Sequence, residues 1–379
     1  MDRGALGVTD PVLFEKRGSL GVATLNRPRV LNALTLEMVR ALDRQMTAWE
    51  QDRSVRGVLL RGEGRAFCAG GDVRAVHASR HHPPGPGDYK TELFREEFQV
   101  MRRLHRFPKP WIALTHGITM GGGAGLSVNG SHCVASASTV FAMPEVFIGS
   151  FPDVGATRFL SRAPGKIGLF LALTGARADA ADAMYLGLAR HFVPQDRFDE
   201  LTAALAKESS PVDALLARFA GKPGASRLQA LRPAIDRCFD HGSVEAIVSA
   251  LRNESGDWAK EALAAMERAS PLSLELALRV MQQGAALDIE GALTLEYRAM
   301  MHVIAGPDFY EGVRAVLIDK DQKPQWQHAT LADVSEAEVQ RHFENLGERE
   351  LSFLNGPGGM RQASAGRDRA NACRTRTPS

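Results

Sequence analysis

Apolar and polar residues alternate at the start of the chain. Val12 to Arg17 and Leu20 to Asn26 have the period of two expected for a strand pair turning at Gly18-Ser19, and Asn26-Arg27-Pro28 ends it. The spacing then becomes helical. Leu36, Val39, Leu42 and Met46 share one face, with Trp49 further along and Thr35 placed as the cap. Val55 to Leu60 is a continuous apolar run, which predicts a buried strand ending at Arg61-Gly62-Glu63-Gly64. Glu92 to Leu104 returns to the helical period through Leu93, Phe94, Phe98, Met101 and Leu104. Glu97 falls among these apolar positions, although a surface acid is the commoner reading. Trp111 to Leu114 predicts another buried strand, Ala124 to Val128 the start of a helix, and Lys166 to Thr174 and Ala178 to Leu186 further helices. His191 to Pro194 reads as a short closing strand.

After about residue 205 the pattern is mainly helical, with breaks at Pro211, Pro223-Gly224 and Pro271. Val244 to Leu251, Trp258 to Met266, Leu272 to Gln283 and Ile289 to His302 are amphipathic. His77 to Asp88, with three prolines and two glycines, reads as a mobile loop, and His81-His82 within it as solvated. From Gly356 onward large apolar residues nearly vanish, which predicts a disordered tail. The organisation read from this is 1–205 as a core, 206–355 as a helical region and 356–379 as a tail.

The chain is centred on Gly117 to Gly155. No Asp, Glu, Lys or Arg occurs between Pro110 and Pro144, and Glu145 and Asp153 then follow. Gly121, Gly122 and Gly123 stand side by side between the predicted strand and helix. Such a turn can serve close packing alone. It also points free N–H groups at whatever lies there, and these favour negative charge. N–H donors followed by two acids suit a reaction in which an oxygen becomes negative. A membrane span is excluded by His116, Asn129, His132, several serines and the glycine cluster.

Length allows two or three domains, and a net charge of +2 gives no argument for nucleic acid as partner. Cysteines 68, 133, 238 and 373 form no C-x-x-C pair, which fits a reducing compartment. The first residues lack a cationic start followed by an apolar run, so a cytoplasmic protein is expected. Nucleotide-binding motifs fail: Leu126 stands where G-x-G-x-x-G needs its third glycine, no Walker lysine follows, and none of the four tyrosines is followed four places later by lysine. The nucleophile elbow fails by one residue at Gly125 to Gly130.

Several motifs in order resemble the crotonase (enoyl-CoA hydratase/isomerase) superfamily. They are Asn26-Arg27-Pro28 with Asn32-Ala33-Leu34, Phe67-Cys68-Ala69-Gly70-Gly71-Asp72, and His116-Gly117-Ile118 through Gly123. Phe141-Ala142-Met143-Pro144-Glu145, Phe151-Pro152-Asp153-Val154-Gly155, Leu171-Ala172-Leu173-Thr174-Gly175, Ser270-Pro271-Leu272-Ser273-Leu274 and the run from Asp308 to Asp321 are most similar to the 3-hydroxyisobutyryl-CoA hydrolases within it. The similarity covers about residues 12 to 354.

The resemblance implies an α/β fold, a spiral of repeated ββα units with a helical C-terminal region. It implies that the Gly71 and Gly122 N–H groups form an oxyanion hole for a CoA thioester. Hydratases carry a first glutamate where this chain has Gly125, and their second matches Glu145. The hydrolases instead pair that glutamate with an acid eight residues on, here Asp153, and add a substrate-site glutamate matching Glu97. The expected reaction is hydrolysis of a short 3-hydroxyacyl-CoA, as in valine breakdown. Glu145 would be nucleophile or general base, and Asp153 would hold the acyl hydroxyl and assist proton transfer. Coenzyme A would be part of the substrate and a product, with no prosthetic group and no metal. A homo-oligomer is allowed. A hydratase or isomerase of the same superfamily, or an inactive scaffold, are the alternatives.

Overall fold

The structure, a computed structural model, describes residues 10–353. The tail expectation at 356–379 and the reading of the first nine residues lie outside them. The strands are β1 (Val12–Arg17), β2 (Leu20–Leu25), β3 (Gly57–Gly62), β4 (Trp111–Leu114), β5 (Ile118–Met120), β6 (His132–Ala135), β7 (Val140–Ala142) and β8 (His191–Phe192). The larger sheet has the order β1-β2-β3-β4-β6-β8 and the smaller pairs β5 with β7. Among the described strand pairs only β1 with β2 is antiparallel, in the register Val12↔Leu25 to Arg17↔Leu20.

The helices that matter to the site are α1 (Leu36–Gln51), α2 (Val73–Ala78), α3 (Tyr89–His105), α4 (Gly122–Val128) and α5 (Ala156–Ser161). The chain thus repeats a unit: a long-sheet strand, a short-sheet segment, then a helix. β3 is followed by the Cys68↔Thr119 bridge and α2, β4 by β5 and α4, and β6 by β7 and the segment leading to α5. This is the ββα spiral.

Both faces of the larger sheet are covered, which is why its strands read as continuous apolar runs rather than alternating ones. Ala23, Leu25, Val58, Leu60 and Ala113 face the core shared with α1 and α3. Leu20, Val22, Leu59, Ile112 and Val134 face Leu201, Leu205, Leu215 and Phe219 on the helices Phe198–Lys207 and Val212–Phe219. Thr35 caps α1, accepting from the Met38 N–H at 3.3 Å, and the predicted apolar face is buried.

Some expectations need correction. Val55 and Arg56 precede β3, because their N–H groups go to Asp52 and Ser19 carbonyls. His77 belongs to α2, and the loop expected to be mobile is tied down. Lys90, fully buried, gives its ammonium to the carbonyls of Ser79 and His82 and to Asp88. Pro211 is the N-cap of one helix and Pro271 the first residue of another, places where a proline loses no helical hydrogen bond, so each break is also a start. Glu97 is no surface acid: it is 2% exposed. Among the described residues no helix is long and apolar enough to cross a membrane.

Candidate active site

Two glycine turns meet at the centre of the molecule, and the first is shaped by Asn32. This residue is fully buried at a φ of 58°, a left-handed conformation that asparagine tolerates better than most. Its amide nitrogen reaches the carbonyls of Glu63, Ala66 and Phe67 at 2.8–3.1 Å, and its oxygen accepts the Arg27 N–H. Arg27 in turn pairs with Asp72 at 3.1 Å. Asp72 caps α2, and Leu34 bridges Gly71 in the parallel sense. The Asn26-Arg27-Pro28 and Asn32-Ala33-Leu34 motifs therefore fix where the Gly71 backbone points.

The second turn delivers the N-terminus of α4. Gly121 has a φ of 50°, and Gly122 begins the helix. Gly70, at φ 106°, lies so close that a Cβ on it would stand 3.3 Å from the Met120 oxygen and 3.5 Å from the Gly122 nitrogen. A Cβ on Gly122 would stand 3.5 Å from the Gly71 nitrogen. Neither the Gly71 nor the Gly122 N–H donates to an acceptor among the described residues. Two free backbone donors therefore lie side by side, one of them at a helix N-terminus where negative charge is favoured.

Three carboxylates close around these donors. A Cβ on Gly121 would stand 2.9 Å from Glu145 Oε1, and one on Gly122 would collide with Glu97 Oε1. Glu145 opens the turn Glu145–Ile148 behind β7. The residue keeps some exposed surface, but its Oε2 is shut off from solvent without a partner, as is Glu97 Oε1. Asp153 is 5% exposed. Burial is the first cause of every shift here, because a desolvated carboxylate resists ionisation. It pushes Asp153 up to about 7. Burial, with the Asp153 charge second, pushes Glu97 up to about 8 and Glu145 well above the usual carboxylate range. All five sequence-predicted residues, Gly71, Gly122, Glu97, Glu145 and Asp153, come together in space.

The supporting shell was not foreseen. Val154 adopts a φ of 54° and Gly155 one of 90°. A β-branched residue in that region is strained and needs outside support. Glu296, fully buried on the helix Ile289–Val303, supplies it by accepting the Gly155 N–H at 2.8 Å and the Thr157 N–H at 2.9 Å. Burial pushes its carboxyl up to about 8 against the opposing effect of these bonds. Asn129 adds a bond to the Val154 carbonyl at 2.8 Å. On the Glu145 side, Gly149 at φ 68° lets the turn meet the Asp308 backbone, while a Cβ on Gly312 would stand 2.5 Å from Ile148. The Asp308-to-Gly312 motif is thus the backing of Glu145. No sequence signal identified Glu296, whose partners are more than 130 residues away; the Val154-Gly155 turn alone hinted that something must hold it.

Gly125 lies one helical turn into α4, where the space for a side chain is already taken. A Cβ there would stand 2.8 Å from Val154 Cβ and 3.0 Å from Met101 Sδ.

Comparison with known proteins agrees with this geometry. A family described as enoyl-CoA hydratase/isomerase matches residues 20–343. A mitochondrial 3-hydroxyisobutyryl-CoA hydrolase of Danio rerio is 44% identical over 353 residues, covering 90% of this chain and 91% of the relative. Its Homo sapiens counterpart is 41% identical over 354 residues, covering 91% of each. Among solved structures, a carnitinyl-CoA dehydratase of Mycobacterium thermoresistibile superposes with a TM-score of 0.87 at 41% identity, covering 92% of this chain and all (100%) of that one. An enoyl-CoA hydratase of Rhodobacter sphaeroides 2.4.1 gives 0.84 at 39% identity, covering 90% and 100%.

Proposed function

The chain belongs to the enoyl-CoA hydratase/isomerase family, and from that premise we propose that it hydrolyses the thioester of a short 3-hydroxyacyl-CoA. The favoured substrate is 3-hydroxyisobutyryl-CoA, giving 3-hydroxyisobutyrate and CoA, a step of valine breakdown. The observation that carries this reading is Gly125. A hydratase needs a carboxylate there, and Val154 and Met101 fill the space, leaving a single hydratase-type glutamate at Glu145. The hydrolase names of the 40–44% identical relatives point the same way.

In this reading the thioester oxygen lies against the Gly71 and Gly122 N–H groups. Preorganised donors hold the charge that develops there, and losing one costs on the order of 3 kcal/mol. Glu145 either attacks the carbonyl carbon or takes a proton from water that does so. The C–S bond then breaks, and the thiolate leaves with the electron pair and takes a proton from water or from the protonated Glu145; where Glu145 was the nucleophile, water then opens the acyl anhydride and releases the hydroxy acid. Asp153 holds the acyl hydroxyl. Glu97, pushed up to about 8, keeps its proton at neutral pH and can donate a hydrogen bond to the bound ester. These groups supply the whole step, so no prosthetic group or metal is invoked, and coenzyme A is only part of the substrate and product.

Double-bond hydration is the second reading, favoured by the descriptions of the two solved structures. Thiol release from a series of acyl-CoA esters, measured beside hydration of crotonyl-CoA, separates the two. Faster hydration than thiol release would overturn the hydrolase reading. A cytoplasmic location is proposed on the buried, unpaired thiols of Cys68, Cys133 and Cys238. The vertebrate relatives are named mitochondrial, and cell fractionation decides.

A further inference from the structure

α4 carries the Gly122 donor at its beginning, and a different cluster lies just past its end. His132 opens β6 and His191 opens β8, neighbouring parallel strands whose rings stack with centroids 5.9 Å apart and planes 19° apart. Asp213, in the first turn of the helix Val212–Phe219, faces both. Its Oδ1 stands 3.4 Å from His132 Nε2 and 3.6 Å from His191 Nε2. The three groups offer ligand atoms within 4.8 Å of one another.

These separations are too long for good hydrogen bonds, which run to about 3.2 Å. They match a different geometry. With metal–nitrogen and metal–oxygen bonds of about 2.0–2.2 Å, two ligands of a tetrahedral zinc ion stand roughly 3.4 Å apart. An octahedral ion with bonds near 2.1 Å would bring adjacent ligands to roughly 3 Å.

The far nitrogen of His132 is held by a neighbour. Ser131 Oγ donates its proton to the Trp111 carbonyl at 3.2 Å and accepts the Trp111 N–H at 2.8 Å. It also lies 2.7 Å from His132 Nδ1, which holds the orientation of the ring. Nε2 is thereby turned towards the Asp213 carboxylate, where a proton or a cation can bridge the two groups. Holding the far nitrogen of a ligating histidine is the usual second support of a metal site. Asp213 is 79% exposed at its side chain and free to adjust, whereas the imidazoles, 13% and 20% exposed, are held by the sheet. One charge opposes a cation: Arg190, whose guanidinium is turned to the Ser131 carbonyl at 3.1 Å.

We propose that His132, His191 and Asp213 bind one zinc ion, with a water in the fourth position. Two imidazoles and a carboxylate suit this borderline-soft ion better than calcium or magnesium, which prefer all-oxygen ligands. The ion ties the β6–β8 edge of the sheet to the helix that covers it. The cluster shares no residue with the carboxylate site, so the ion takes no part in thioester cleavage.

The test uses the full chain stripped with a chelator and titrated with zinc. Calorimetry should find one saturable ion per chain. At about 100 times the dissociation constant, melting should rise by on the order of 3 °C. Cobalt should give the visible absorption of a tetrahedral site. His191→Gln and Asp213→Asn should each abolish the binding, the shift and the spectrum while leaving CoA release unchanged. Asp213→Asn changes an exposed side chain, so the test survives if the histidine variant folds poorly. No saturable binding, or equal binding by wild type and Asp213→Asn, would overturn the proposal; equal binding would place the ion elsewhere, for instance on a cysteine.

Discussion

The Glu296 carboxylate accepts the Gly155 N–H at 2.8 Å and so fixes the backbone two residues beyond Asp153. The strain at Val154 is held by this bond and its companion to Thr157. Glu296→Gln keeps the size but turns an amide N–H towards a backbone N–H. Leaving a buried N–H without its acceptor costs about 1–3 kcal/mol. We expect a lower melting temperature. We also expect a fall in kcat/KM that is larger for the 3-hydroxyacyl ester than for the ester without the hydroxyl. Equal falls for the two esters would mean that Glu296 supports the fold without positioning Asp153.

Glu145→Gln should leave binding of the CoA ester nearly intact and lower kcat by roughly 10²–10⁴-fold, since the amide fills the same space but is neither base nor nucleophile. Steady-state kinetics with a direct binding measurement checks this. Retained turnover would remove Glu145 from the chemical step.

Asp153→Asn should reduce the preference for the hydroxylated ester by about tenfold or more, because a buried hydrogen-bonding group discriminates strongly against a ligand lacking its partner. The same change should move the pH profile. Glu145 must lose its proton to act, so kcat/KM should rise with pH through a value above the ordinary carboxylate range. After burial, the Asp153 charge is the next cause holding that value up. Asp153→Asn should therefore shift the rising limb to lower pH. An unmoved limb would show that the two acids do not sense each other.

Glu97 offers a stability test. Folding raises its pKa to about 8. The folded state therefore binds more protons than the unfolded one from about pH 4 upward. Its contribution is complete below the unfolded value and is lost as pH rises through about 8. Glu97→Gln removes that loss. The variant should match wild type near pH 5 and exceed it by about 2 kcal/mol or more near pH 9, as read from urea midpoints. Equal midpoints at both pH values would show that the Glu97 carboxylate is better solvated than its burial implies.

Gly125→Glu restores the hydratase pattern in sequence but not in space. The new side chain meets Val154 and Met101, and overpacking of this kind costs about 1–3 kcal/mol. Since Val154 adjoins Asp153, thiol release should fall without a gain in crotonyl-CoA hydration. A clear gain would mean that the loop yields easily and that Gly125 alone separates the two chemistries.

What could be read ahead of the structure follows from the range of each interaction. Thr35, the apolar face of α1 and the glycine turns act within a few residues, so spacing exposes them. The four amphipathic helices from Val244 to His302 were legible for the same reason. The helix Arg227–Phe239 was not, because Pro233 lies inside it and tertiary packing outweighs the broken hydrogen bond. Glu97 looked like a surface acid because its burial depends on Gly122, a neighbour only through the fold. Glu296 acts across 141 residues and has no local signature.

The reciprocal contacts of Gly149 with Asp308 and of Gly312 with Ile148 bear on the timing of synthesis. A chain leaves the ribosome N-terminus first. Every acid of the site up to Asp153 is made early, but the turn that presents Glu145 gains its backing only once the Asp308–Val313 helix has emerged. Nascent chains arrested before residue 308 should therefore carry all three carboxylates and release no CoA, whereas chains arrested well beyond Leu351 should be active. Competence thus arrives only once the Asp308–Val313 helix is out, and a ribosome that stalls short of it leaves a product that is folded in part and catalytically silent.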